Sequence, residues 1–248
     1  MSSLPVPEIV ETGGAALLWA AIFLWGSRAR RLYSLGGDRH AVTSFGAGMA
    51  VAYVFMHMMP ELHEVRRTFA ASAPMPIPYE GKATYFLALL GFLTFYRLRY
   101  LHEGLRKTTE NREAGPAFQL QIGGFSAYIW LLGYMLVNNL HETETSIALY
   151  AVAIGFHLLA VDRAFSDEHG AAYERTGRLV LASMSGIGWG AGLLFAFPQH
   201  VLALLVAFLS GAIIMNSTVM ELRSATDGRF WPMIAGGGLY GLILLAAG

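Results

Sequence analysis

Lysine and arginine fall in every second gap between the apolar stretches of this chain. Arg28, Arg30, Arg31 and Arg39 separate the first stretch from the second, and Arg97, Arg99, Arg106, Lys107 and Arg112 separate the third from the fourth. Arg163, Arg175 and Arg178 follow the fifth stretch, and Arg223 and Arg229 follow the seventh. These gaps hold fourteen of the seventeen basic residues; the others hold only Arg66, Arg67 and Lys82. Short cytoplasmic loops retain Lys and Arg because carrying them across a bilayer is disfavoured, so the alternation predicts a multi-pass membrane protein. It also predicts that both termini lie on the non-cytoplasmic face.

The alternation counts eight spans: Ile9–Trp25, Ala41–Met59, Thr84–Leu101, Phe125–Leu140, Ser146–Phe165, Leu179–Phe197, Val201–Met220 and Phe230–Gly248. A helix crossing the hydrocarbon needs about 20 residues, within a range of about 17–25, and most of these stretches qualify. The fourth is the weakest: its apolar run Phe125–Val137 is short, and it reaches a spanning length only by drawing in Gln119–Gly124 and Asn138–Leu140. Loop parity supports it, because deleting one span moves several arginines to the wrong face. Composition agrees with a bilayer as solvent, at 55% hydrophobic and 14% charged residues with mean hydropathy +0.47. No gap is long enough for a soluble module, so residues 1–248 are predicted to form a single all-α transmembrane domain. The first stretch is a span rather than a secretory leader, since its positive charges follow the apolar core instead of preceding it.

Several function classes are disfavoured. There is no Cys, hence neither a disulfide nor a thiolate metal ligand. The net charge of zero gives no basis for a nucleic-acid partner. No Gly run forms a phosphate-binding loop, and neither Lys82 nor Lys107 lies in a span where a retinal Schiff base would need it. The spans carry no Ser-Lys pair, paired Asp or His-Glu-x-x-His, so an intramembrane enzyme is not expected.

Ionisable groups inside a bilayer cost about 2.5–3.5 kcal/mol at its centre on insertion scales, so those that remain are the candidate functional residues. His57, Glu61 and Glu64 stand at i, i+4 and i+7 at the outer end of the second span, on one helix face. Pro60 between them opens the hydrogen-bond ladder. Imidazole and carboxylate on one face suit a borderline divalent metal such as zinc, and they equally suit a cluster solvated by headgroups and water. His157 sits near mid-membrane in the fifth span, either as a ligand or as a neutral core histidine hydrogen-bonded to a neighbour. Asp162, five residues on, is poorly placed to share an ion with it on a straight helix, and it makes a better stripe with Ser166 and His169. Glu221 closes the seventh span at its cytoplasmic end. In the external gap His141, Glu142 and Glu144 come without any Lys or Arg, and an acidic mouth of that kind concentrates cations.

Two segments carry a family resemblance. Ser44–Leu62, SFGAGMAVAYVFMHMMPEL, resembles the second helix of the ZIP (Zrt/Irt-like) divalent-metal transporters, a Gly/Ala-rich run ending in His-Leu-Leu-Pro-Glu or a variant. Leu204–Leu222, LLVAFLSGAIIMNSTVMEL, is similar to the family's seventh helix. Ala151–Phe165 is weakly similar to the fifth, with His157 at the place of its first metal-binding histidine. The resemblance implies eight helices in a 3+2+3 arrangement with an inverted repeat, in a bacterial inner membrane, with room for a homodimer. It implies a divalent cation, zinc first, that the protein transports or binds, with no other cofactor expected. His57 and Glu61 would receive the metal outside, His157 would mark the central site, and Asp162 and Glu221 the inner exit. The chain departs from the family in the fourth span, where Phe125–Val137 carries no Asp, Glu or His. The fifth-helix pattern is likewise reduced to His157 and Asp162. A transport-inactive membrane scaffold or sensor that keeps the fold is the alternative.

Overall fold

The structure is a computed structural model that describes residues 5–34, 39–72, 80–108, 115–138, 147–224 and 229–247, and every regular element among them is helical. The order is α1 (Val6–Ser34), α2 (Arg39–Tyr53), a π-helical turn (Val54–Met58), α3 (Met59–Ser72), α4 (Glu80–Thr108) and α5 (Pro116–Asn138). Next come α6 (Ile147–Ala172), a second π turn (Tyr173–Gly177), α7 (Arg178–Leu194), α8 (Gln199–Ser224) and α9 (Phe230–Ala247). The apolar stretches expected from sequence are largely helical where they are described, although Ala41–Met59 runs through α2 and the π turn to the first residue of α3, and Leu179–Phe197 runs past the end of α7 at Leu194.

The helix boundaries have local causes. Pro5 precedes α1 and its carbonyl accepts from Glu8 and Ile9, while Glu8 places a carboxylate at the positive end of the helix dipole. α5 starts at Pro116, where the missing N–H would be unsatisfied in any case. This puts its start nine residues before the stretch expected at Phe125, because Pro sets a helix start that hydropathy does not register. α7 ends where Phe195 turns extended, three residues before Pro198, and the Pro198 carbonyl then receives Val201 and Leu202 to open α8. The first π turn lies just ahead of Pro60. Proline supplies no N–H, and the ladder before it closes as i→i+5, with Met59 donating to the Val54 carbonyl.

By internal packing the chain divides into two compact units, one holding α1, α5, α6, α7 and the end of α4 from Leu101. The other holds α2, α3, α4 up to Tyr100, α8 and α9. In the first unit α5 packs on α7, and α1 packs on both α6 and α7. The α5–α7 approach is so close that a Cβ at Gly188 would collide with the Trp130 carbonyl. Only glycine allows backbones to meet in that way, as at small-residue crossings in membranes. Trp19, Phe23, Ile129, Leu132, Leu136, Ile154, Leu158 and Leu181 fill the space between. Polar side chains tie the helices together, with Trp19 Nε1 donating to the Ala151 carbonyl at 3.0 Å and Ser185 Oγ to that of Ala16 at 3.0 Å. In the second unit α3 packs on α8, and Ser44 of α2 accepts the Arg229 N–H at 2.9 Å, just ahead of α9.

Val6–Gly26, Pro116–Asn138 and Gln199–Asn216 are long and apolar enough to cross a bilayer, and Phe230–Ala246 is a shorter apolar helix. Large apolar side chains also stand on the outside. Leu17, Phe86, Leu194, Trp231, Leu242 and Leu245 are each more than half exposed. In water such a surface is an association hazard, whereas lipid removes the cost. Long apolar helices with apolar exteriors support an all-helical membrane protein.

Candidate metal centre

The buried face of α6 follows helical spacing through Ile154, His157, Leu158, Val161, Asp162, Phe165 and His169. Three of these are ionisable, and each meets a different set of partners inside the first unit.

His157 is 3% exposed, and its Nε2 shares a hydrogen bond of 3.1 Å with the phenol of Tyr128 on α5. The two rings meet edge to face. Both side chains are buried, so the bond gives each a polar partner away from water.

Asp162 is held as half of a buried ion pair. Its Oδ1 accepts from the Tyr173 hydroxyl at 2.8 Å and lies 3.5 Å from Arg178 Nε. Arg178 also reaches Glu174 at 3.5 Å and sits over the Tyr173 ring. Gly170 makes this fold-back possible with φ 45°, which side chains with a Cβ rarely adopt. The break there returns Tyr173 and Arg178 to the face that α6 has just presented. Gly26 on α1 completes the pocket, because a Cβ there would strike the Asp162 carboxylate.

His169 opens the third cluster. Its Nε2 lies 2.5 Å from Gln121 Oε1, and Gln121 Nε2 lies 3.1 Å from Glu168 Oε2. His102, from the last turns of α4, places its ring edge to face against His169 with centroids 5.2 Å apart. Phe118 and Phe165 wall the same imidazole. Both histidines are buried and Glu168 is half-buried. One ligand atom from each of His102, Glu168 and His169 lies within 4.8 Å of the others, so the trio could hold a metal ion.

Hydrogen bonding fixes the protonation of this cluster. A carboxylate only accepts, so the Gln121 group facing Glu168 is its amide NH₂. That orientation turns the Gln121 carbonyl toward His169, and His169 Nε2 must then carry the proton. The lone pair is left on Nδ1. A metal-binding imidazole commonly donates its second N–H to an oxygen in this way, which fixes ring and tautomer together.

The residues expected from sequence are therefore distributed. His157 and Asp162 lie on one face of α6 but have separate partners. His57 lies in the first π turn, half-buried and stacked on Tyr53 at 5.0 Å. The i→i+5 closure there departs from the straight-helix geometry on which the His57/Glu61/Glu64 face was drawn, and Glu64 pairs with Arg67 at 2.7 Å on an exposed surface. The backbones of Glu61 and Glu221 belong to α3 and α8. Their side chains lie outside the described residues, as do His141, Glu142 and Glu144 entirely. Sequence reasoning noticed His169 only as part of a stripe, and it missed His102, Gln121 and Glu168. Span parity was the available clue: the third and fifth spans end, and the fourth begins, on the same predicted face.

Among the described residues the chain is all-helical, with helices apolar enough to cross a bilayer and a trio of two buried histidines and a half-buried glutamate. In comparisons with known proteins, no family model, no curated protein and no solved structure matches the chain.

Proposed function

We propose that the protein is a ZIP-like membrane protein of eight spans that binds and moves a divalent cation, zinc foremost, through a reduced central site. The carrying observation is the buried face of α6, where His157, Asp162 and His169 lie among apolar helices at the cost of burying ionisable groups. Imidazole with carboxylate favours zinc-class ions over magnesium or calcium, which prefer all-oxygen shells. Three helices long and apolar enough to cross a bilayer, with a shorter apolar helix at Phe230–Ala246, support a membrane reading, and the eight-span 3+2+3 arrangement is part of the proposal. In this topology both termini are outside, in a bacterial inner membrane, and the His169 cluster faces the cytoplasm. No enzymatic step is proposed.

The role of each residue follows its surroundings. His157, with one phenol beside it, offers a single neutral ligand at mid-membrane. Asp162 is engaged by Arg178 and Tyr173, so it shapes the inner path more readily than it binds an ion outright. Radioisotope zinc uptake into proteoliposomes tests the proposal, with His157→Ala expected to lower the rate. Uptake equal to the unaltered protein would remove His157 from the mechanism.

One observation favours the second reading, a transport-inactive scaffold or sensor. The fourth span gives His157 a phenol where the family resemblance leads one to expect carboxylates and imidazoles. Proteoliposomes that show no uptake above empty vesicles for zinc, manganese or iron would decide for that reading.

A further inference from the structure

We infer that His102, Glu168 and His169 form an exchangeable divalent-cation site, held in readiness by Gln121 and separate from His157. The site takes its cytoplasmic placement from the proposed topology; its chemistry rests on these residues alone.

The donor set comes first. Two imidazoles and one carboxylate make three protein ligands, which leaves a fourth tetrahedral position for water or another ligand. Closed structural zinc sites use four protein ligands, whereas three leave a position through which a competing ligand can enter and the ion can leave. With both imidazoles neutral, the carboxylate leaves a net charge of about +1 on a divalent complex, which suits a partly buried location.

Geometry comes second. Around zinc at about 2.0–2.1 Å from each donor, tetrahedral ligand atoms stand roughly 3.3 Å apart. The three donors here lie within 4.8 Å of one another, so closure requires at most about 1.5 Å of movement, within the reach of side-chain rotation. His102 belongs to α4, whereas Glu168 and His169 belong to α6. Binding would therefore draw the last turns of α4 onto α6.

The third point is preorganisation. Gln121 contacts both Glu168 and His169, and its amide, donating to Glu168, turns its carbonyl to His169 Nε2, which favours the tautomer that keeps Nδ1 as the acceptor. It occupies the supporting position whose loss lowers metal affinity about 10–100-fold in known sites.

Cobalt titration of the purified full-length protein in detergent tests the site. Cobalt(II) in a tetrahedral nitrogen/oxygen site absorbs visibly, and zinc displaces the band. The unaltered protein should show a saturable band at one equivalent that zinc abolishes. His102→Ala and Glu168→Gln should lose it, Gln121→Ala should weaken it about 10–100-fold, and His157→Ala should keep it. Glu168 is half-buried and glutamine preserves its shape, so that variant tests the site even if His102→Ala fails to fold. Hydrogen exchange should also show added protection over residues 101–105 when zinc is present. No saturable band in the unaltered protein would overturn the inference, as would a full band in folded Glu168→Gln. A band without zinc uptake would leave the site standing and remove the transport proposal. Uptake without a band would do the reverse.

Discussion

His157 and His169 are both buried on the same face of α6, and twelve residues separate them, or about 18 Å along the helix. Their surroundings nevertheless differ in kind. His157 meets the Tyr128 phenol of α5, which engages its Nε2 at 3.1 Å. His169 meets an amide that is itself bound to a carboxylate, and a second imidazole lies beside it. The same side chain on the same helix face thus serves as a satisfied core residue in one place and as the centre of a ligand set in the other. What distinguishes them is the residue each neighbouring helix places opposite. Asp162 lies between the two and does something else again, closing a buried ion pair on Arg178.

The largest expected effect concerns that intervening pair. Asp162→Ala removes the buried partner of the Arg178 guanidinium and leaves it only the half-exposed Glu174, so it should lower stability by up to about 3–5 kcal/mol, read as a fall in melting temperature in detergent. An Arg178→Met change in the same chain should recover much of the loss. A single variant that melts like the unaltered protein would mean that the pair separates nothing, and the contrast between the two histidines would lose its middle tier.

A smaller effect sharpens the comparison directly. Zinc at about 100 times its dissociation constant should stabilise the protein by about 2.7 kcal/mol, and a chelator should remove the gain. His169→Ala should abolish this zinc-dependent shift while His157→Ala retains it. If His157→Ala abolished it instead, the roles of the two histidines would be exchanged.

The smallest effect is at Tyr128. Removing its hydroxyl as Tyr128→Phe should cost about 0.6 kcal/mol, the average for a hydrogen bond between membrane helices, and should leave cobalt binding unchanged. A loss of several kcal/mol, measured by the same melts, would show that the phenol takes part in a wider polar network than the one bond to His157.

Much of the helical layout was legible in the chain, for physical reasons that act locally. Runs of apolar residues placed most of the helical stretches, and the i, i+4 and i+7 spacing placed Asp162 and His169 on one face. Positions governed by a single special residue were less legible. Pro116 starts α5 ahead of its apolar run, Pro60 is preceded by a π turn, and Gly170 breaks α6 so that Tyr173 and Arg178 return to Asp162. Local hydropathy averages over such residues, while backbone geometry responds to each of them.

The sequence by itself determined that this chain is a set of apolar helices with a few costly ionisable groups, because hydropathy and charge act through the residues' own transfer energies. Tertiary structure alone decided which of those groups meet. His102 and Gln121 reach His169 because α4, α5 and α6 come together at one level, and no spacing along the chain encodes that level. It is set by packing, including approaches as close as Gly188 against the Trp130 carbonyl, where the absence of one methyl group lets two helices touch.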